Sequence, residues 1–238
     1  MSGADEGRRA ELAANLAAVR ERIALACSDA GRAPEEVHLV VVTKFFPRSD
    51  LDLLADLGVR DIGENREQEA SAKLADGGTP PGVRTHYIGQ LQSKKAGAVA
   101  RWADVVQSVD RPKVIAALDR GASAAGRELT VLVQVDLDAD AAEHRGGAAP
   151  RDVLALADEV ARSDSLRLGG LMAVAPLGED PSPPFARLAE LSGALRETHP
   201  QATWVSAGMS ADLEAAVRHG ATHLRVGTAI LGTRASHG

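Results

Sequence analysis

The chain has 238 residues, 45% of them apolar and 25% charged, a globular composition that excludes wholesale disorder. Twenty-seven basic against 33 acidic residues give a net charge of −6, and aromatics are only 3%, which argues against nucleic-acid binding by a basic footprint or by base stacking. A lone cysteine, Cys27, excludes an internal disulfide and points to a reducing, cytoplasmic setting.

Leu12, Leu16, Val19, Ile23 and Cys27 recur every three or four residues and predict an amphipathic helix over 9–29, stopped by Gly31 and Pro34. Its charges (Arg20, Glu21, Arg22) are unlike a signal peptide, and apolar runs of about five residues fall far short of the ~20 that span a bilayer. No membrane partner is therefore expected. Short β-branched or apolar runs then predict strands at 37–43, 59–63, 84–89, 104–109, 129–136, 166–172, 202–206 and 222–227. Ala- and Leu-rich segments predict helices near 48–57, 64–76, 93–102, 111–124, 150–163, 184–198 and 210–219.

Strands alternating with helices imply an α/β protein with a parallel sheet buried on both faces. Eight strands suit a single (β/α)8 TIM barrel with an extra N-terminal helix plugging or capping one end. A doubly wound open sheet is the competing arrangement. The Asp76–Gly82 and 139–150 stretches read as loops that separate no second core, so 1–238 is expected to form one domain.

Lys44 ends the run VHLVVVTK, which places it at the C-terminal mouth of the first strand, where barrel active sites collect. Partial burial would make its amine a nucleophile toward aldehydes; the plainer reading is a lysine reaching out to water. Ser206, Gly208 and Ser210 follow strand seven, and Gly227 and Thr228 follow strand eight. Small residues opening helices there form a candidate phosphate site, since barrels often bind phosphate with these two loops; Ser210 could instead be a simple N-cap. Arg225, inside strand eight, needs either a carboxylate on a neighbouring strand or a ligand atom to receive its hydrogen bonds. Glu64 and Asn65 after strand two and His86 in strand three could line the mouth, although a histidine is more often structural. Lys94 and Lys95, with Lys73 and Arg101, read as a solvated face. No metal-ligand spacing, Walker loop or nucleophile elbow occurs.

Together VVTKFFP (41–47), DIGENREQEA (61–70), THYIGQLQSKKAG (85–97), VQSVDRPK (106–113), GGLMAVAPLGED (169–180) and SAGMSADLEAAVRHGATHLRVGTAILG (206–232) span nearly the whole chain. In them the chain resembles the pyridoxal phosphate homeostasis proteins, the YggS/PROSC family, which look like the barrel half of an alanine racemase. The resemblance implies that Lys44 holds pyridoxal 5′-phosphate (PLP) as a Schiff base. It implies a phosphate cup of Ser206, Gly208, Met209, Ser210, Gly227 and Thr228, with Arg225 facing the pyridine nitrogen and Asn65 and His86 beside the ring. The family usually has SMGMS where 206–210 read SAGMS, and asparagine where Lys94 stands; Ala207 leaves the backbone donors intact.

Racemisation needs two bases, one on each face of the substrate adduct. In alanine racemases the second is a tyrosine from a separate C-terminal domain of a partner subunit. The single tyrosine here, Tyr87, sits on the opposite strand face from His86. A guanidinium at the ring nitrogen also discourages its protonation and weakens the ring as an electron sink. The expectation is a monomeric PLP-binding protein of vitamin B6 homeostasis without robust turnover, with PLP-dependent apo-enzymes as recipients. The alternatives are a low-activity PLP-dependent amino-acid racemase, a barrel enzyme using Lys44 on a phosphorylated metabolite, and a plain interaction module.

Overall fold

The structure, a computed structural model, describes residues 3–75, 77–138, 146–176 and 178–233. Each β-branched run forms a strand: β1 (His38–Val42), β2 (Asp61–Glu64), β3 (Arg84–Tyr87), β4 (Val105–Val109), β5 (Leu129–Val135), β6 (Leu166–Ala173), β7 (Trp204–Ser206) and β8 (His223–Val226). They pair in parallel and in chain order, and β8 returns to β1 through Leu39↔Leu224 and Val41↔Val226. This is the expected (β/α)8 barrel; closure removes the two edges that an open sheet would expose.

The helices are α1 (Gly3–Asp29), α2 (Arg48–Asp56), α3 (Glu67–Ala75), α4 (Ala96–Ala100), α5 (Pro112–Ala124), α6 (Val153–Ala161), α7 (Ser182–Thr198), α8 (Leu213–Arg218) and α9 (Thr228–Leu231). Strand residues alternate between two environments. Val41, Ile62, Val106, Val131, Leu171, Val205 and Val226 join the large apolar cluster shared with the helices. Val105, Leu132 and Met172 form a small separate cluster inside the barrel, with Trp204 against it. Much of the remaining interior is polar: Asp61, His86, Gln107, Ser206, His223 and Arg225 are all buried.

Helix α1 corrects one expectation, because it does not plug an end of the barrel. It packs between α8 and α2 and against α9, in the outer ring. There α9, a single turn, is too short to cover β8. Leu12, Leu16, Val19, Ile23 and Cys27 are buried, the four aliphatic side chains each contributing about 1.5–3 kcal/mol as an upper estimate. The expected helix over 93–102 is a 3₁₀ turn (Ser93–Lys95) followed by the five-residue α4, and that over 210–219 shortens to α8. In the predicted loops, Asp76 and residues 139–145 lie outside the described residues, as does the tail 234–238. Among the described residues no helix is long and apolar enough to cross a membrane.

Candidate functional site

Lys44 follows Val42 by two residues, in the alternation phase of Val40 and Val42, which flank Gly63 on the inner face. Its neighbours are locked. Thr43 Oγ1 donates to Glu64 Oε1 at 2.7 Å, and Lys73 Nζ donates to the same oxygen at 2.6 Å and to the Thr43 carbonyl at 2.8 Å. Lys73 is thus no part of a solvated face: its side chain is 6% exposed and that of Glu64 0%. Burial pushes the Glu64 carboxyl up, against the opposing pull of Lys73. On the other flank Phe45 has φ 69°, a left-handed conformation uncommon for a bulky residue. The Phe45 N–H donates to Glu69, and Phe46 N–H to the Thr43 carbonyl. Lys44 is half-buried, with Nζ 5.7 Å from the centroid of the Phe45 ring. Strained turns held this firmly cluster at functional positions.

The two predicted anion loops lie at the same end of the barrel as Lys44 and Asn65, beyond the C-terminal ends of their strands. Gly208 has φ 90°, and a Cβ there would come within 2.5 Å of Ala216 Cβ, so only glycine lets the loop fold back onto α8. Its carbonyl accepts from Arg225 N–H, and Met209 N–H donates to Asp212 Oδ1 at 2.6 Å. Gly227 abuts Val42, where a Cβ would lie 3.2 Å from the Val42 carbonyl oxygen, and exposed Thr228 opens α9. Helix α1 braces both loops. Arg22 donates to the Ser210 carbonyl, Asn15 to that of Ile230, and Arg8 to that of Leu231.

Arg225, Ser206 and His86 meet inside the barrel. Arg225 Nη1 donates to Ser206 Oγ at 2.7 Å and Nη2 to the Ala173 carbonyl at 2.8 Å. Among the described residues no carboxylate pairs with it, so the ion-pair alternative for this arginine falls; burial lowers its pKa to about 10. Ser206 Oγ also bonds Gln107 Oε1 at 2.7 Å, and Gln107 Nε2 bonds His86 Nδ1 at 2.8 Å. His86 Nε2 lies 2.9 Å from Asp61 Oδ1, and Asp61 accepts twice from Arg84. Burial alone would raise the Asp61 carboxyl, but His86 and Arg84 outweigh it and hold it at about 2. Both ring nitrogens of His86 are therefore engaged by the protein. Asn65 is half-buried at the mouth, with Oδ1 buried and without a partner.

The opposite end of the barrel is aromatic. His223 stacks on His38 at 4.9 Å and lies 4.2 Å from Trp204, with His86 at 6.3 Å. Burial first, then the neighbouring His86 and His38, lowers the His223 pKa to about 3, and burial lowers that of His86. Below pH ~6.5 the unfolded chain binds protons that these native histidines refuse, so stability falls as pH drops, by up to about 1.4 kcal/mol per unit for His223, with His86 acting in the same direction. Urea melts from pH 7.5 to 5 should show this slope, and His223→Phe, which keeps the stack, should remove His223's share. A slope unchanged by His223→Phe would contradict it.

Among the described residues no group of His, Cys, Asp and Glu could hold a metal. A cavity of about 440 Å³ at the mouth is lined by Met209, Gln134, Asp136 and Val174. A larger one, about 620 Å³, lies between Leu137 and α7, and none of the predicted site residues lines it. Gln107, Asp61 and Glu69 escaped the sequence reading, which named Lys73 only as part of a solvated face. For the strand residues Gln107 and Asp61 the available signal was a polar residue inside a buried strand, as in DVVQSV.

The family model for the alanine racemase N-terminal domain matches residues 10–235. A pyridoxal phosphate homeostasis protein of Mycobacterium tuberculosis is 45% identical, covering 95% of this chain and 94% of that protein. The Escherichia coli protein of the same name is 36% identical, covering 94% and 97%. The structure of PipY from Synechococcus elongatus with PLP bound is 33% identical, with a TM-score of 0.79, covering 93% of this chain and 100% of that one. An alanine racemase from Clostridium difficile shares the fold at 15% identity and TM-score 0.74, and the match covers 58% of that longer chain.

Proposed function

The chain belongs to the family of pyridoxal phosphate homeostasis proteins, and from that premise we propose that it binds PLP at the C-terminal mouth of its barrel, holding and releasing the cofactor in the cytoplasm. The residues present fit the group. Asn65 brings an orphaned buried oxygen, two small-residue loops bring backbone donors, and Arg225 brings a charged donor suited to an unprotonated ring nitrogen. Bound PLP supplies an electrophilic aldehyde and an electron-withdrawing ring. Lys44 is the residue that would condense with the aldehyde. Gly208 and Ser210 with Gly227 and Thr228 would grip the phosphate, whereas the Met209 N–H is given to Asp212.

Several features favour carrier over catalyst. Tyr87, the single tyrosine, is buried among outward-facing residues, edge-on to Trp102, and its hydroxyl donates to the Gln90 carbonyl. It is no candidate for a second base at the mouth. Arg225 keeps a permanent positive charge where ring protonation would be needed for strong carbanion stabilisation. PLP-dependent apo-enzymes are the fitting recipients.

The observation that carries this reading is the Lys44 turn, clamped on both flanks at the barrel end where the two glycine loops lie. The purified protein should turn yellow with PLP, and borohydride should fix one label on Lys44. In deuterated water it should show no sustained α-proton exchange of free amino acids. A protein that stays colourless contradicts PLP binding, and steady exchange identifies a racemase-like enzyme instead.

A further inference from the structure

The buried hydrogen-bond series along the barrel axis has two ends of fixed polarity. Arg225 can only donate and the Asp61 carboxylate can only accept. Between them lie Ser206, Gln107 and His86, each with 0% exposure and linked at 2.7–2.9 Å. Asp61, doubly bonded by Arg84, requires a proton on His86 Nε2. A neutral His86 then offers Nδ1 as an acceptor, so the Gln107 atom facing it is the amide NH₂. Gln107 Oε1 consequently faces Ser206 and takes its hydroxyl proton, while Ser206 Oγ accepts from Arg225. Every bond runs the same way, from Arg225 down to Asp61.

Resting on the PLP reading, we propose that Gln107 is a positioning residue that orients Arg225 through Ser206, and that Ser206 serves the ring side of the site rather than the phosphate. Ser206 has one proton, and Gln107 already holds it. The hydroxyl has nothing to donate to a phosphate oxygen, and its remaining lone pair faces no anion favourably. The phosphate is left to Gly208, Ser210, Gly227 and Thr228. Gln107 lies on β4, three strands from Lys44's β1 in the barrel order, and it reaches Arg225 through Ser206.

Two probes separate the roles: PLP, and pyridoxal, which has the same ring and aldehyde without phosphate. Absorbance titrations of the full chain should show Ser206→Ala and Gln107→Leu weakening both ligands by the same factor, on the order of tenfold. Ser210→Ala should weaken PLP and leave pyridoxal unchanged. A Ser206→Ala loss confined to PLP makes Ser206 a phosphate ligand and overturns the inference while the PLP reading stands. Wild-type protein that colours with neither probe overturns the PLP reading itself. If Gln107→Leu fails to fold, nitrogen-15 spectra of the unliganded wild-type protein still decide: His86 should carry its proton on Nε2 alone. In Gln107→Glu, which sets a second carboxylate against Nδ1, both His86 nitrogens should be protonated at neutral pH. A wild-type proton on Nδ1 reverses the series and overturns the assignment.

Discussion

Lys44→Ala should abolish borohydride-fixed attachment of PLP and leave the barrel folded. Among the described residues Lys44 makes no hydrogen bond or ion pair, only the contact of its ammonium with the Phe45 ring. Its removal should therefore change stability by no more than about 0.5 kcal/mol. Phosphate and ring contacts would remain, so PLP should still bind reversibly, with affinity lower by about a hundredfold, or ~2.7 kcal/mol. Lys44→Arg keeps the cation but cannot condense, and should behave alike, which separates nucleophilicity from charge. Lys73, the other lysine near this turn, is committed to Glu64 and the Thr43 carbonyl and should take no label. Stoichiometric trapping that survives Lys44→Ala, with the label mapped elsewhere, would reject the assignment.

Lys73→Met should be the most damaging single change at the mouth. It removes the ammonium from a carboxylate with no exposure and frees the Thr43 carbonyl that holds the Lys44 turn. Breaking a buried pair from one side typically costs about 3–5 kcal/mol. The loss carries a pH signature. Burial already raises the Glu64 pKa, and without Lys73 the folded-state value rises further. The penalty is then full well above that value and recedes as pH falls and Glu64 takes up a proton. Denaturant melts should find the variant closer to wild type at pH 5 than at pH 8. Lys73→Met combined with Glu64→Gln should recover part of the loss, because no charge is left unpaired. A single variant within about 1 kcal/mol of wild type at pH 8 would show that the pair contributes little. PLP attachment should also slow in Lys73→Met, since Lys44 loses one of its two braces.

The eight strands, the order of the helices, Lys44 at a strand end and both glycine loops are legible in the chain as written. Each is encoded by residues adjacent in sequence: apolar runs of strand length, helical spacing, and glycines where backbone must turn or approach closely. What escaped has a common cause. A strand buried on both faces shows no contrast between its sides, so nothing in 104–109 says that Gln107 faces the axis while Val106 faces the helices. Ser206 and Gln107 are 99 residues apart, and Arg8 and Leu231 are 223 apart; such pairs meet only when the barrel closes. Closure likewise put α1 into the gap left by the one-turn α9, and buried Lys73 beneath a carboxylate that local pattern alone read as surface. Local periodicity thus specifies elements and turns, whereas the partner of a buried polar group is chosen by long-range geometry, because its free energy depends on which groups remain after water has been expelled.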